Sequence, residues 1–365
     1  MIYLDHGATS FPKLPTVKAA MAQAMERCAN PGRAGHKAAM AAAETVYSCR
    51  ETAASFFHCD PEQVVFTANC THGLNLAIFT LVPPGGRVLI SGFEHNAVTR
   101  PLHARKAELV VAGKVLFDWD DTLEQFERGL QAGVDAAVFT HVSNVFGYIL
   151  PVEQMAALCR QYGVPFVVDA AQSAGTQPVD FAAWGADFVA MPGHKSLLGP
   201  QGTGILLCAR TPTPLLFGGT GSMSLQQQMP DFLPDGAEAG TLNVPGIAGL
   251  EAGIRHIRRL GRETIALREA QLARTCAAGL HRLGFQVFSG EHQGGVVSFV
   301  PPIDCQQAAD LLAERNIAVR AGLHCAPLAH RSAGTLETGT VRISLGPHTN
   351  HRQIAYFLQN ARFLR

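Results

Sequence analysis

A chain of 365 residues is long enough for two domains and can bury a large core without metal or disulfide support. Its 29 Lys and Arg balance 29 Asp and Glu, and zero net charge argues against nucleic acid or an anionic membrane surface as a partner. Apolar residues make up 47% and charged ones only 16%, so part of the surface is expected to be covered by a second copy in a homo-oligomer.

The first residues, MIYLDHGATSF, lack the basic and apolar blocks of an export signal, and no run reaches the roughly 18 apolar residues of a membrane span. The nine cysteines are scattered, odd in number and without a CxxC pair, unlike a disulfide framework or a metal site. A reducing, cytoplasmic setting without a bound metal is expected.

Between residues 60 and 210 short apolar runs alternate with helical patterns. VVFTAN leads into THGLNLAIFTLV; then come RVLISG, DAAVFTHV, VEQMAALCRQYG, VPFVVDA, DFVAMPG and GILLCA. Such alternation predicts βαβ units and a mostly parallel sheet, and strands apolar on both faces imply that helices cover both sides. The Pro/Gly-rich stretch from Thr211 to Gly246 is too long for an ordinary connection and is expected to line a site or an interface. After residue 250 a long charged helical stretch leads into FQVFSG, GGVVSFV, DCQQAADLLAERN, IAVRAG, TVRISL and a last helical run, which reads as a separate α+β layer.

Ligands of open α/β sheets bind at the carboxyl ends of the strands. Those ends carry Glu94 and His95, Asn144, Asp169, and His194 with Lys195. Asp169 closes an apolar run, where a carboxylate is costly unless a cation or several donors meet it, although it could equally cap a helix beginning at AAQSAG. Gln172 would then be either the partner in a capping box or a donor to a ligand. Lys195, flanked by glycines, pairs with Asp169 in the way a lysine Schiff base of pyridoxal 5′-phosphate pairs with an acid for the ring nitrogen. The segment TANCTHGLNL opens a helix directly after a strand, with Thr71 adding a hydroxyl, and such an N-terminus accepts a phosphate. No GxGxxG or Walker pattern occurs, which argues against nicotinamide and ATP chemistry. Cys325, with Arg320 and His324 close in sequence, is a candidate nucleophile, and Arg342 a candidate carboxylate grip.

The blocks LDHGAT, NPGRAGH, FTANCTHGLNL, EHNAV, HVSNVFG, VDAAQSAG, PGHKSLLGPQGTG, EAGTLN, VRAGLHCAP and VRISL follow one another as in the class V aminotransferase branch of fold type I pyridoxal-phosphate enzymes. The chain most resembles the cysteine desulfurases and selenocysteine lyases of that branch. The resemblance implies residues 1–14 packing with the small domain, a large cofactor-binding domain over 15–247 with a mostly parallel seven-stranded sheet flanked by helices, and a small α+β domain over 248–365. It implies Lys195 as the Schiff-base lysine, Asp169 on the pyridinium nitrogen, Gln172 at the phenolic oxygen and His95 against the ring. Cys70, Thr71 and His194 would hold the phosphate, with Thr241 reaching across from a second subunit of a homodimer. Asn144, Arg342, Arg320 and His36 would bind the substrate, and Cys325 would receive sulfur from L-cysteine as a persulfide, for transfer to an acceptor protein. Selenocysteine lyase, cysteine sulfinate desulfinase or another reaction of the branch is the alternative. Two departures stand out: Pro192 replaces a common hydroxyl on the phosphate, and Asn69-Cys70-Thr71 replaces a pair of threonines.

Overall fold

A computed structural model describes residues 1–32 and 34–365, so Arg33 of the NPGRAGH block lies outside the described residues. The chain opens with β1 (Ile2–Tyr3), α1 (Pro15–Arg27) and α2 (Lys37–Phe57). The alternating region then gives β2 (Val64–Thr67), α3 (Cys70–Leu81), β3 (Arg87–Ser91), α4 (Asn96–Ala104), β4 (Glu108–Ala112), α5 (Trp119–Gln131) and β5 (Ala136–Thr140). It continues with α6 (Val152–Gln161), β6 (Phe166–Asp169), α7 (Phe181–Trp184), β7 (Phe188–Pro192) and β8 (Gly204–Cys208). The last third holds α8 (Val244–Leu260), α9 (Arg262–Arg282), β9 (Gln286–Phe288), β10 (Val296–Val300) and α10 (Cys305–Ala313). β11 (Ile317–Ala318), β12 (Arg320–Gly322), α11 (Pro327–Ser332), β13 (Thr340–Ser344) and α12 (His351–Ala361) complete it.

Seven strands form one sheet in the order β2-β8-β7-β6-β5-β3-β4. All pairings are parallel except those of β8, which runs antiparallel to both β2 and β7. Every residue of β2, β5, β6, β7 and β8 is buried, the pattern of a sheet covered on both faces. The expected α/β architecture with a mostly parallel sheet is therefore the one the chain adopts. β4 (ELVVA) escapes the sequence pattern because it is a partly exposed edge strand.

The smaller layer is an antiparallel sheet, β12-β13-β10-β9. β1 pairs in parallel with β11, and Leu4 enters the core that α9, α10 and α12 share with this layer. The long charged helical stretch divides into two helices at Gly261, whose φ of 82° a glycine adopts without strain. The expected boundary at residue 247 falls inside α8, whose Leu250, Ile254 and Ile257 pack into the core of the large sheet. We propose that the small unit begins within α9, where Leu272 and Cys276 enter its core. The 211–243 stretch carries the exposed Leu216, Phe217 and Leu225, and Glu238 anchors it by pairing with Arg50 and accepting the Phe66 N–H at 2.6 Å.

Among the described residues no helix is long and apolar enough to cross a membrane, and no His, Cys, Asp and Glu are grouped as a metal site requires. All nine cysteines are free.

Candidate active site

The site forms where the C-terminal ends of β3, β5, β6 and β7 meet the N-terminal segment and the edge of the small sheet. Asp169, the last residue of β6, is 3% exposed. Its Oδ1 accepts the Ala171 N–H at 2.9 Å and the Cys70 thiol at 3.5 Å, while Oδ2 meets no donor among the described residues. Burial raises its pKa, opposed by the Ala171 N–H and the charge of Lys195. The segment after it is a run of turns and not a helix, so Asp169 caps none. Gln172 is no capping-box partner either, because its side chain donates to the Gly7 carbonyl at 3.0 Å.

Lys195 follows β7 in a turn that is fastened from behind. The carbonyl of His194 accepts from the Ser10 N–H at 2.9 Å, Ser10 Oγ at 3.0 Å, Thr9 Oγ1 at 3.1 Å and Lys13 Nζ at 3.0 Å. Burial lowers the Lys195 pKa; Asp169 and Cys70 pull it back, and Arg342 and Arg320 add to the fall. That mutual influence shows these five side chains sharing one electrostatic neighbourhood. The ring of His194 turns Nδ1 to Thr9 Oγ1 at 3.1 Å, and burial followed by Lys195 pushes its pKa down to about 4.

His95 begins α4 as its N-cap, with Nδ1 accepting the Ala97 N–H at 3.0 Å. Nε2 therefore carries the ring hydrogen. Burial, then Lys195 and three arginines, push its pKa down to about 4, so the imidazole is neutral at pH 7. Beneath it Glu94 is fully buried. Its Oε1 accepts from the Ser91 N–H and hydroxyl and from the Thr140 N–H at 2.9 Å, Oε2 is unpartnered, and burial raises its pKa to about 8.

Cys70 is the first residue of α3, capped by Asn69, whose Oδ1 takes the His72 N–H at 2.9 Å. Asn69 fills the capping role, so the Cys70 and Thr71 N–H groups remain open at the helix N-terminus, next to Asp169.

Arg342, on β13, is 1% exposed. One nitrogen pairs with Asp5 Oδ1 at 2.6 Å, another donates to the Asn144 carbonyl at 3.0 Å, and Nε is buried without a partner. Arg320 stands directly opposite it in the β12–β13 pairing. Two guanidinium groups on one face repel unless an anion lies between them. Asn144 also donates from Nδ2 to the His324 carbonyl at 2.8 Å. The exposed Cys325 follows, its carbonyl accepting the Asn96 N–H at 2.7 Å, which brings the cysteine beside His95.

Two expected residues stand apart from this group in the chain. His36 is an exposed N-cap of α2, and Thr241 is exposed beside a surface cavity that Ala68 and His72 also line. Neither has a hydrogen bond to the Lys195 group. Asp5, Thr9, Ser10, Lys13 and the buried Glu269, whose pKa burial raises to about 8 in a cavity shared with Lys195 and Gln172, went unread in the sequence. The block LDHGATSF was the available signal for the first three.

The family model described as Aminotransferase class-V matches residues 2–357. The chain belongs to this class-V aminotransferase family. A probable cysteine desulfurase of Pyrococcus abyssi is 32% identical to this class-V member over 98% of the chain and 92% of the relative. One of Methanothermobacter thermautotrophicus is 31% identical over 97% and 92%. Among solved structures, the apo cysteine desulfurase of Thermococcus onnurineus NA1 superposes with a TM-score of 0.91 at 30% identity, covering 100% of this chain and 94% of that one. The cysteine desulfurase CsdA of Escherichia coli, at 24% identity and a TM-score of 0.84 over 99% and 94%, shares the fold.

Proposed function

We propose that this protein is a pyridoxal 5′-phosphate-dependent cysteine desulfurase that converts L-cysteine to L-alanine and takes the sulfur as a persulfide on Cys325. It works as a homodimer in a reducing cytoplasm and hands the sulfur to an acceptor protein. The names of its relatives support the reaction. The observation that carries it is the buried Asp169, whose Oδ2 is open and whose pKa burial raises, within electrostatic reach of a lysine whose pKa burial lowers.

The residues fit the cofactor. A protonated ring nitrogen is the cation that Asp169 lacks, the open N–H groups of Cys70 and Thr71 suit its phosphate, and Lys195 is the amine for its aldehyde. Gln172, His194 and, from a second subunit, the exposed Thr241 complete the set. When bound, the group supplies an electron sink that acidifies the substrate Cα proton.

Arg342 Nε and Arg320 bind the substrate carboxylate, with Asn144 beside them and His36 contributing from the partner subunit. Lys195, whose pKa burial lowers, removes the Cα proton. The Cys325 thiolate attacks the substrate sulfur; an S–S bond forms, the C–S bond breaks with its electron pair left on Cβ, Cβ takes up a proton, and the proton that Lys195 removed is returned to Cα. His95, with its hydrogen on Nε2, stands beside Lys195 to assist that return. Alanine leaves and the persulfide stays.

Absorbance tests the cofactor: the purified protein should show a band near about 420 nm that Lys195→Ala abolishes. An amino-acid panel scored for alanine together with sulfide, selenide or sulfite tests the substrate.

A further inference from the structure

His324 and Cys325 are consecutive non-glycine residues with φ of 50° and 56°. Both lie in the left-handed region, which side chains with a Cβ adopt only where surrounding contacts sustain it. The turn closes on itself when the Ala326 N–H donates to the Leu323 carbonyl at 2.9 Å. Two carbonyls tie it to the large sheet's elements: that of His324 to Asn144 Nδ2 at 2.8 Å, and that of Cys325 to the Asn96 N–H at 2.7 Å. Those bonds fix the backbone's position but leave its side-chain anchor to be found.

The anchor is the imidazole of His324. It is 5% exposed, and its Nε2 lies 3.2 Å from both the carbonyl and Oγ1 of Thr340 on β13. A carbonyl only accepts, so Nε2 bears the hydrogen and Nδ1 is a bare lone pair, buried and unpartnered. The ring packs at 5.8 Å on that of His330, itself fixed by Thr335 Oγ1 at 2.8 Å from Nδ1. A buried ring kept with an unpartnered nitrogen, at a strained position next to the nucleophile, is poorly explained by packing alone.

We infer that His324 is a positioning residue: its N–H to Thr340 straps the cysteine loop to β13 and holds the Cys325 thiol toward the substrate while leaving it exposed. This rests on the desulfurase reading only for what the thiol does, not for how it is held.

The test compares His324→Phe, which fills the space without a donor, with His324→Gln, whose terminal amide can replace Nε2–H. In the resting holoenzyme, hydrogen exchange of the Ala326 amide, which donates to the Leu323 carbonyl, should quicken at least about tenfold in His324→Phe and stay near wild type in His324→Gln. With L-cysteine, single-turnover persulfide formation on Cys325 should fall by about the same factor in the first and recover in the second, with KM and the 420 nm band unchanged. Should His324→Phe not fold, Thr340→Val, which keeps the ring and removes one acceptor, should still quicken the loop's exchange. Wild-type exchange and persulfide rates in His324→Phe, or wild-type exchange in Thr340→Val where that variant decides, overturn the inference. A wild-type enzyme that forms no persulfide defeats the desulfurase reading instead, and the exchange comparison alone then decides the strap.

Discussion

Asp5 and Arg342 meet at 2.6 Å although 337 positions separate them, joining the first strand's exit to the last strand of the small sheet at the floor of the site. The pair neutralises one edge of a guanidinium whose Nε is buried without a partner. Removing one member of a buried pair strands the other, at a cost of about 3 kcal/mol. Asp5→Asn should therefore lower the urea midpoint of unfolding and raise KM for the amino acid, both in the same variant. Arg342→Lys, which keeps the charge and loses the planar fork, should raise KM by about tenfold or more while the cofactor band persists.

Gly7 gives a finer probe of the same floor. A Cβ placed there would come within 3.1 Å of Ser344 Oγ and 3.2 Å of Arg342 Cζ, so those side chains must shift. Gly7→Ala should weaken amino-acid binding several-fold, read as KM, with a smaller change in kcat.

Glu94 predicts a pH signature. Unfolded, it ionises near 4.5; folded, it keeps its proton to about 8, so the native state binds more protons and stability falls as pH rises across that window. Glu94→Gln, neutral at every pH, should match wild type at pH 5 and melt a few degrees higher at pH 9, a scale of ~1 kcal/mol or more. Equal melting differences at the two pH values would mean that Glu94 is ionised when folded.

The histidines act in the opposite sense. Burial pushes His6, His95 and His194 down to about 4 from 6.5, so the unfolded chain takes up protons first as the solution is acidified. Their contribution is intact above pH 6.5 and lost as pH falls toward 4. Thermal melts from pH 7 to 4 should show the decline, and replacing His6 with Gln should reduce its slope.

The strand ends were legible because a doubly covered parallel strand is apolar along its length, so a polar residue closing it stands out; Asp169, Asn144, His95 and Lys195 were found that way. What flanks them was not legible. Thr9, Ser10 and Lys13 reach His194 across more than 180 positions, and no local pattern encodes such a contact. VVDAAQSAG suits a helix cap as well as a ligand group, and the turn that follows Asp169 removes the cap. Helices α8 and α9 read as one since a single Gly261 interrupts an otherwise unbroken charged pattern.

The decisive measurement follows Cys325 itself. Mass analysis of its peptide after a single turnover with L-cysteine, with alanine counted in the same sample, should give one added sulfur per alanine in wild type, and no alanine burst in Cys325→Ser that still holds the cofactor. Alanine released by Cys325→Ser at the wild-type rate, with Cys325 unmodified in the parent enzyme, would contradict the assignment of this residue as the sulfur acceptor.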